Sequence, residues 1–132
     1  MIRFLLIALA IVSFTACNKP TGIKDFVQSA DSVAINYFKG DGTMDTVVKV
    51  IVLRDKKQIS SLADYVEGGA TDEARCGYDG SLHFFKNNMV LKDVDIRMND
   101  VQCMHFSFVL DNNRYTTKLS AEAKTFLETG KK

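Results

Sequence analysis

From Gly80 onward the chain is broken by short runs of turn-forming residues, and this constrains its fold more than anything else in the sequence. Asn87-Asn88 tolerates the positive φ that a two-residue hairpin needs, and Asn99-Asp100 and Asp111-Asn112-Asn113 supply later turns. These turns separate strand-like segments at about 81–86, 89–97, 102–110 and 114–118. Parallel crossovers need a dozen or more residues between strands, so such short connections favour an antiparallel meander.

Upstream, Ser32 to Phe38 (SVAINYF) is rich in β-formers, and Lys39-Gly40-Asp41-Gly42-Thr43 reads as a turn. Thr46 to Leu53 (TVVKVIVL) is apolar on both alternating faces, which predicts a central strand covered on both sides. The period then changes. Ile59, Leu62, Ala63 and Val66 fall at i, i+3, i+4 and i+7, predicting an amphipathic helix over about 56–66. Asp55 is its expected N-cap, with Gln58 three residues on as a capping-box partner and Gly68-Gly69 as the stop. Residues 68–80 (GGATDEARCGYDG) read as a long irregular stretch. A closing helix has Ser120 as cap, Glu122 at the positive end of the dipole and Gly130 as stop, with Leu119, Ala123, Phe126 and Leu127 on its apolar side. The predicted order is ββαββββα, an α+β fold with helices on an antiparallel sheet. One globular domain is expected over 29–132, with 17–28 as a tether because Pro20 and Gly22 oppose regular structure.

The first residues carry an address. Arg3 precedes nine unbroken apolar residues, Phe4 to Val12, and Ser13-Phe14-Thr15-Ala16 leads into Cys17. Nine residues at about 1.5 Å each cover roughly half of a ~30 Å hydrocarbon core, so the run is too short to span a bilayer. A basic residue, a short apolar core and small residues describe a secretory signal. With the cysteine at its end, the segment resembles the signal peptide and lipobox of bacterial lipoproteins, with Phe14 where that family usually has Leu. The resemblance implies removal of residues 1–16 and acylation of Cys17. It also implies membrane attachment through two or three chains, far stronger than one chain gives. Asn18 lacks the acidic residue that retains enteric lipoproteins at the inner membrane, which points to the outer membrane, facing the periplasm.

The chain has 17 Lys+Arg and 16 Asp+Glu, and Arg3 is the only charged side chain before Cys17, so the mature portion balances. Without net charge or a basic patch there is no electrostatic case for nucleic acid. In an exported chain, Cys76 and Cys103 are expected to pair as a disulfide. Closing that loop would restrict the unfolded chain by roughly 3–4 kcal/mol.

Chemistry-bearing residues concentrate on the strand from Gln102 to Leu110. Met104, Phe106, Phe108 and Leu110 are expected on the core face, and Cys103, His105 and Ser107 on the other. With Cys76 and His83 these residues form a Cys₂His₂ set, but without C-x₂-C or H-x₃-H spacing, and oxidised cysteines do not ligate zinc. A Cys103–His105 nucleophile pair would need a free thiolate. His105 with Ser107 lacks a G-x-S-x-G context. The favoured expectation is that His83 and His105 are half-exposed sheet residues and Cys103 a structural sulfur. Asp93 and Asp95, with Arg97 continuing their face, read as the solvated side of a strand. Asp72-Glu73 lies in a loop without calcium-site spacing. Tyr78 is expected to cover the sulfur bridge; exposed, it would suit a partner or a sugar. The mature region is loosely similar to small bacterial envelope lipoproteins, with Cys76-Gly77-Tyr78-Asp79-Gly80 and the Cys103-to-Phe108 strand as its distinctive stretches. That likeness implies no activity. The expected function is a lipid-anchored envelope protein with a small non-catalytic binding or structural domain, needing no cofactor and acting on an envelope protein or small ligand. The alternatives are an exported metal-binding protein or thiol enzyme using Cys76, His83, Cys103 and His105, and an inhibitor of an exported enzyme.

Overall fold

The computed structural model describes residues 20–40, 44, 46–72 and 76–130. The expected signal segment, Cys17 and Asn18 lie outside them, as does Glu73. The elements are α1 (Ile23–Val27), β1 (Ser32–Phe38), β2 (Val47–Leu53), α2 (Lys56–Val66), β3 (Gly80–Lys86), β4 (Met89–Arg97), β5 (His105–Leu110), β6 (Asn113–Lys118) and α3 (Ala121–Thr129). The strands form one antiparallel six-stranded sheet in the order β2-β1-β3-β4-β5-β6. The class is α+β, and after the short α1 the element order is the predicted ββαββββα.

Local chemistry sets most of the boundaries. Asn87 and Asn88 take φ of 51° and 62°, and Asp111 and Asn112 take 51° and 64°. Both hairpins therefore turn on two consecutive left-handed residues, whose twist matches that of the flanking strands. The Asp55 side chain accepts from the Lys57 and Gln58 amides at 2.8 and 3.1 Å, capping α2. Gln58 does not complete a capping box. Its amide instead donates to the Gly130 carbonyl at 2.8 Å, joining the start of α2 to the end of α3. Ser120 accepts from the Ala123 amide at 3.1 Å and Gly130, at φ 68°, closes α3.

The core lies on one face of the sheet. Val33, Ile35, Leu82, Phe84, Val94, Ile96, Phe106 and Phe108 point toward the helices, where Ile23, Val27, Ile59, Leu62, Val66, Phe126 and Leu127 meet them in one buried cluster. Each such side chain contributes about 1.5–3 kcal/mol by leaving water. All three helices pack on this face. The second face carries no helix among the described residues.

Three expectations need correction. Among the described residues β2 is an edge strand, paired only with β1, and Val48, Val50 and Val52 are 60 %, 54 % and 49 % exposed. Ile51 and Leu53 reach the core side and these three valines lie on the helix-free side, so apolar residues on both faces here mark one buried and one open face. Second, residues 23–27 are not tether. They form α1, with Ile23 and Val27 fully buried. Glu67, at the end of α2, holds this start by accepting from the Thr21 hydroxyl at 2.7 Å and the Gly22 amide at 3.0 Å. Third, β5 begins at His105, because Val101 to Cys103 form a turn in which the Cys103 amide donates to the Asp100 carbonyl at 2.9 Å.

Candidate functional site

Strand pairing lays polar side chains across the helix-free face in rows. Asn36, Ser81, Asp95, Ser107 and Thr116 are successive partners from β1 to β6. On one side of that row His83 faces Asp93, and on the other Arg97, His105 and Lys118 are aligned. The alternation that sends Leu82, Val94 and Phe106 into the core sends these residues to the opposite surface.

His83 sits in a chain of hydrogen bonds. Its Nε2 is 3.0 Å from the Ser81 hydroxyl and its Nδ1 is 2.6 Å from Asp93 Oδ1. The atoms follow the order of a Ser–His–Asp triad. The surroundings do not complete one. Ser81 lies inside both the β1–β3 and β3–β4 ladders, so successive amides around it are used by strand pairing and none is free to cradle an oxyanion. Beside this chain Asp95 is half-buried, and burial raises its carboxyl pKa. Asp93 adds to the rise, while Arg114, His83 and His105 oppose it. Arg114 donates to the Ser107 hydroxyl at 2.8 Å, so Ser107, at 2 % exposure, is covered and satisfied. A shallow depression of about 350 Å³ runs over Asp93, Asp95, Ser107, Val109 and Arg114.

The loop before β3 roofs the other end of the face. Cys76 and Cys103 bring their sulfurs to bonding distance, with Cα atoms 6.6 Å apart, within the range a disulfide spans. His105 lies under the loop. It is 2 % exposed, not half-exposed as the alternation suggested, because the Tyr78 ring meets it edge-on at 5.7 Å. Its Nδ1 is 2.8 Å from the Cys103 carbonyl, which can only accept, so Nδ1 carries the proton. Tyr78 thus covers His105 as well as flanking the sulfur pair. Of the four residues in the expected metal set, Cys76, Cys103 and His105 have ligand atoms within 4.8 Å of one another. His83 is engaged elsewhere with Ser81 and Asp93.

At the mouth of the same loop is a second hollow of about 270 Å³, lined by Phe38, Met44, Cys76, Gly77, Tyr78, Asp79 and Arg97. Asp79 is 6 % exposed and accepts from the Met98 amide at 3.0 and 3.1 Å and the Asn99 amide at 2.9 Å. These bonds fold the chain back after β4. Asp79 and Arg97 are the residues that sequence reasoning passed over. The one signal for Arg97 was its parity with Asp93 and Asp95, which placed it on this face without showing what it meets.

Comparison with protein-family models, with curated proteins and with solved structures returns no match.

Proposed function

We propose that this chain is an exported envelope protein, anchored through acylated Cys17, whose α+β domain binds an envelope partner or small ligand with the helix-free face of its sheet. One observation carries the binding role: every helix among the described residues packs on one side, leaving the other a cross-strand array of Ser81, His83, Asp93, Asp95, Arg97 and Arg114 beside the Cys76–Tyr78 loop. Members of the array hydrogen-bond to one another and border two hollows, which goes beyond the polar surface that any solvated sheet face carries. Catalysis is disfavoured because the backbone amides around Ser81 are used in strand pairing, which leaves none of them to stabilise an oxyanion.

The anchor and the face are tested separately. Radiolabelled palmitate should enter the wild-type chain and fail to enter Cys17→Ser; label retained in that variant rejects the anchor. A photo-crosslinking residue at Lys118, on the open face, should form a discrete adduct in cells, while one at Lys57, on the exposed side of α2, should not. Equal adducts from both positions, or none from Lys118, reject the binding face.

A second reading has its own observation, the convergence of Cys76, Cys103 and His105. If the sulfurs are reduced in the envelope, this trio is a soft-metal site with His105 released from the Cys103 carbonyl. Intact mass separates the two states. A two-dalton rise on reduction supports the bridge, whereas unbridged thiols and bound zinc support the metal site.

A further inference from the structure

We propose that the hollow beneath the Cys76–Tyr78 loop is a binding site for a small organic carboxylate with an apolar body, its head held by Arg97. This deepens the reading of the open face as a binding surface and rests on it.

The inference starts from an unmatched donor. Arg97 Nε is buried and has no hydrogen-bond partner among the described residues. The nearest carboxylate oxygen, Asp79 Oδ2, is 3.9 Å away, beyond hydrogen-bonding reach. The Met98 and Asn99 amides hold both Asp79 oxygens in place, and the guanidinium stays beyond hydrogen-bonding reach of them. Native proteins leave few buried donors unpaired, and a donor attached to a charged group is among the most costly to leave so. Arg97 is otherwise 27 % exposed along its side chain, so its free end meets the hollow and not the packed interior. A ligand presenting two oxygens side by side would satisfy Nε and a terminal nitrogen together, the fork geometry that guanidinium offers and ammonium does not.

The rest of the hollow selects the body of that ligand. Phe38 and Met44 give it apolar walls, and Tyr78 adds a polar tip. Apolar walls set beside directed polar groups suit a small molecule with one apolar end and one polar end. At about 270 Å³ it admits one aromatic or short aliphatic body, and not a nucleotide or an oligosaccharide. Charge sharpens the choice. Among the described residues, Arg97 is the cation lining the hollow and Asp79 the anion beside it, so a single added negative charge is matched better than the two of a phosphate dianion. With a net charge of only +1, the chain supplies little long-range pull on polyanions either.

The test uses the full chain in detergent, titrated with phenylacetate, phenylacetamide and inorganic phosphate while backbone amide resonances are followed. Phenylacetate should give saturable shifts at Gly77, Tyr78 and Met98. Phenylacetamide and phosphate should give none. Arg97→Gln should raise the phenylacetate Kd at least tenfold with a native spectrum, and Arg97→Lys should recover little of it. Phe38→Ala, which leaves the guanidinium untouched, should weaken binding severalfold. The inference is overturned if wild type shows no saturable shift, if the amide binds as well as the acid, or if Arg97→Gln binds unchanged. Should Lys118 crosslink its partner while phenylacetate does not bind, the carboxylate site alone falls. Failure of both removes the open-face reading as well.

Discussion

The two ends of the sheet are built from opposite materials and finished in opposite ways. β6 (NRYTTK) is polar, yet its outer edge is covered: Ala70 bridges Thr117, the Thr71 amide donates to the Thr116 carbonyl at 3.0 Å and the Lys118 amide to the Gly69 carbonyl at 2.9 Å. β2 (VVKVIVL) is the most apolar strand, yet it has β1 as its only strand neighbour among the described residues. The Phe38 amide donates to the Asp79 carbonyl at 3.0 Å, so by antiparallel alternation the even-numbered residues of β1 bond to β3 and the odd ones to β2. On β2 this turns the amides and carbonyls of Val50 and Val52 outward. Apolar composition thus reports which side chains a strand carries and says nothing about how many neighbours it has. Bare apolar edges are templates for pairing with another chain, and Lys49 is the only charge within β2.

Substitutions at the two ends should diverge, and the widest gap is expected in the core beneath β6. Leu119→Ala, at a fully buried position, should cost about 2–5 kcal/mol in urea unfolding, while Val52→Ala, half exposed, should cost less than about 0.5 kcal/mol. Similar losses at both positions would mean that β2 is covered in solution. Next is the anchor of the covered end. Thr117 is fully buried and its hydroxyl donates to the Val66 carbonyl at 2.7 Å, tying β6 to α2. Thr117→Val keeps the shape and strands that carbonyl, so a loss of about 1–3 kcal/mol is expected by the same measurement; an unchanged midpoint would show that the bond contributes nothing.

At the bare end the effect lies in association. Val50→Lys should leave the urea midpoint within about 0.5 kcal/mol of wild type and reduce concentration-dependent self-association in sedimentation velocity. If wild type stays monomeric at every concentration, the edge is not adhesive. The smallest effect belongs to Asp95, whose carboxyl pKa is raised chiefly by burial. A folded pKa above the unfolded one means that the folded state holds more protons through that window, so stability falls as pH rises through it. Asp95→Asn should therefore raise the melting temperature slightly at pH 7, and the gain should vanish below the ordinary carboxylate range. A gain that persists at pH 3 would assign the effect to something other than ionisation.

What the sequence revealed and what it hid divide by distance along the chain. Asp55, Ser120, Gly130 and the Asn87-Asn88 pair act on residues within a turn of themselves, and each does what its type implies. Helix α1 escaped because its clamp is Glu67, 45 residues from Gly22, and because Pro20 and Gly22 read as breakers. The position of β2 escaped because strand order is decided by pairing, which periodicity does not encode. In the candidate site, the approach of Cys76 to Cys103 was legible from the even pair of cysteines left after Cys17 in a chain read as exported. The burial of His105 was not, since its strand parity places it on the open face and only the returning Tyr78 covers it. The role of Arg97 required knowing that Asp79 was already committed to two amides.

The clamp that Glu67 places on Thr21 and Gly22 also limits how far the body can stray. With Cys17 as the proposed attachment point, only Asn18, Lys19 and Pro20 separate the acyl chains from the first fixed residue. At roughly 3.3–3.6 Å per extended residue, that leash is about 10 Å. Under that proposal, a domain on so short a lead would ride against the headgroups, and whatever it meets would itself have to come to the membrane surface.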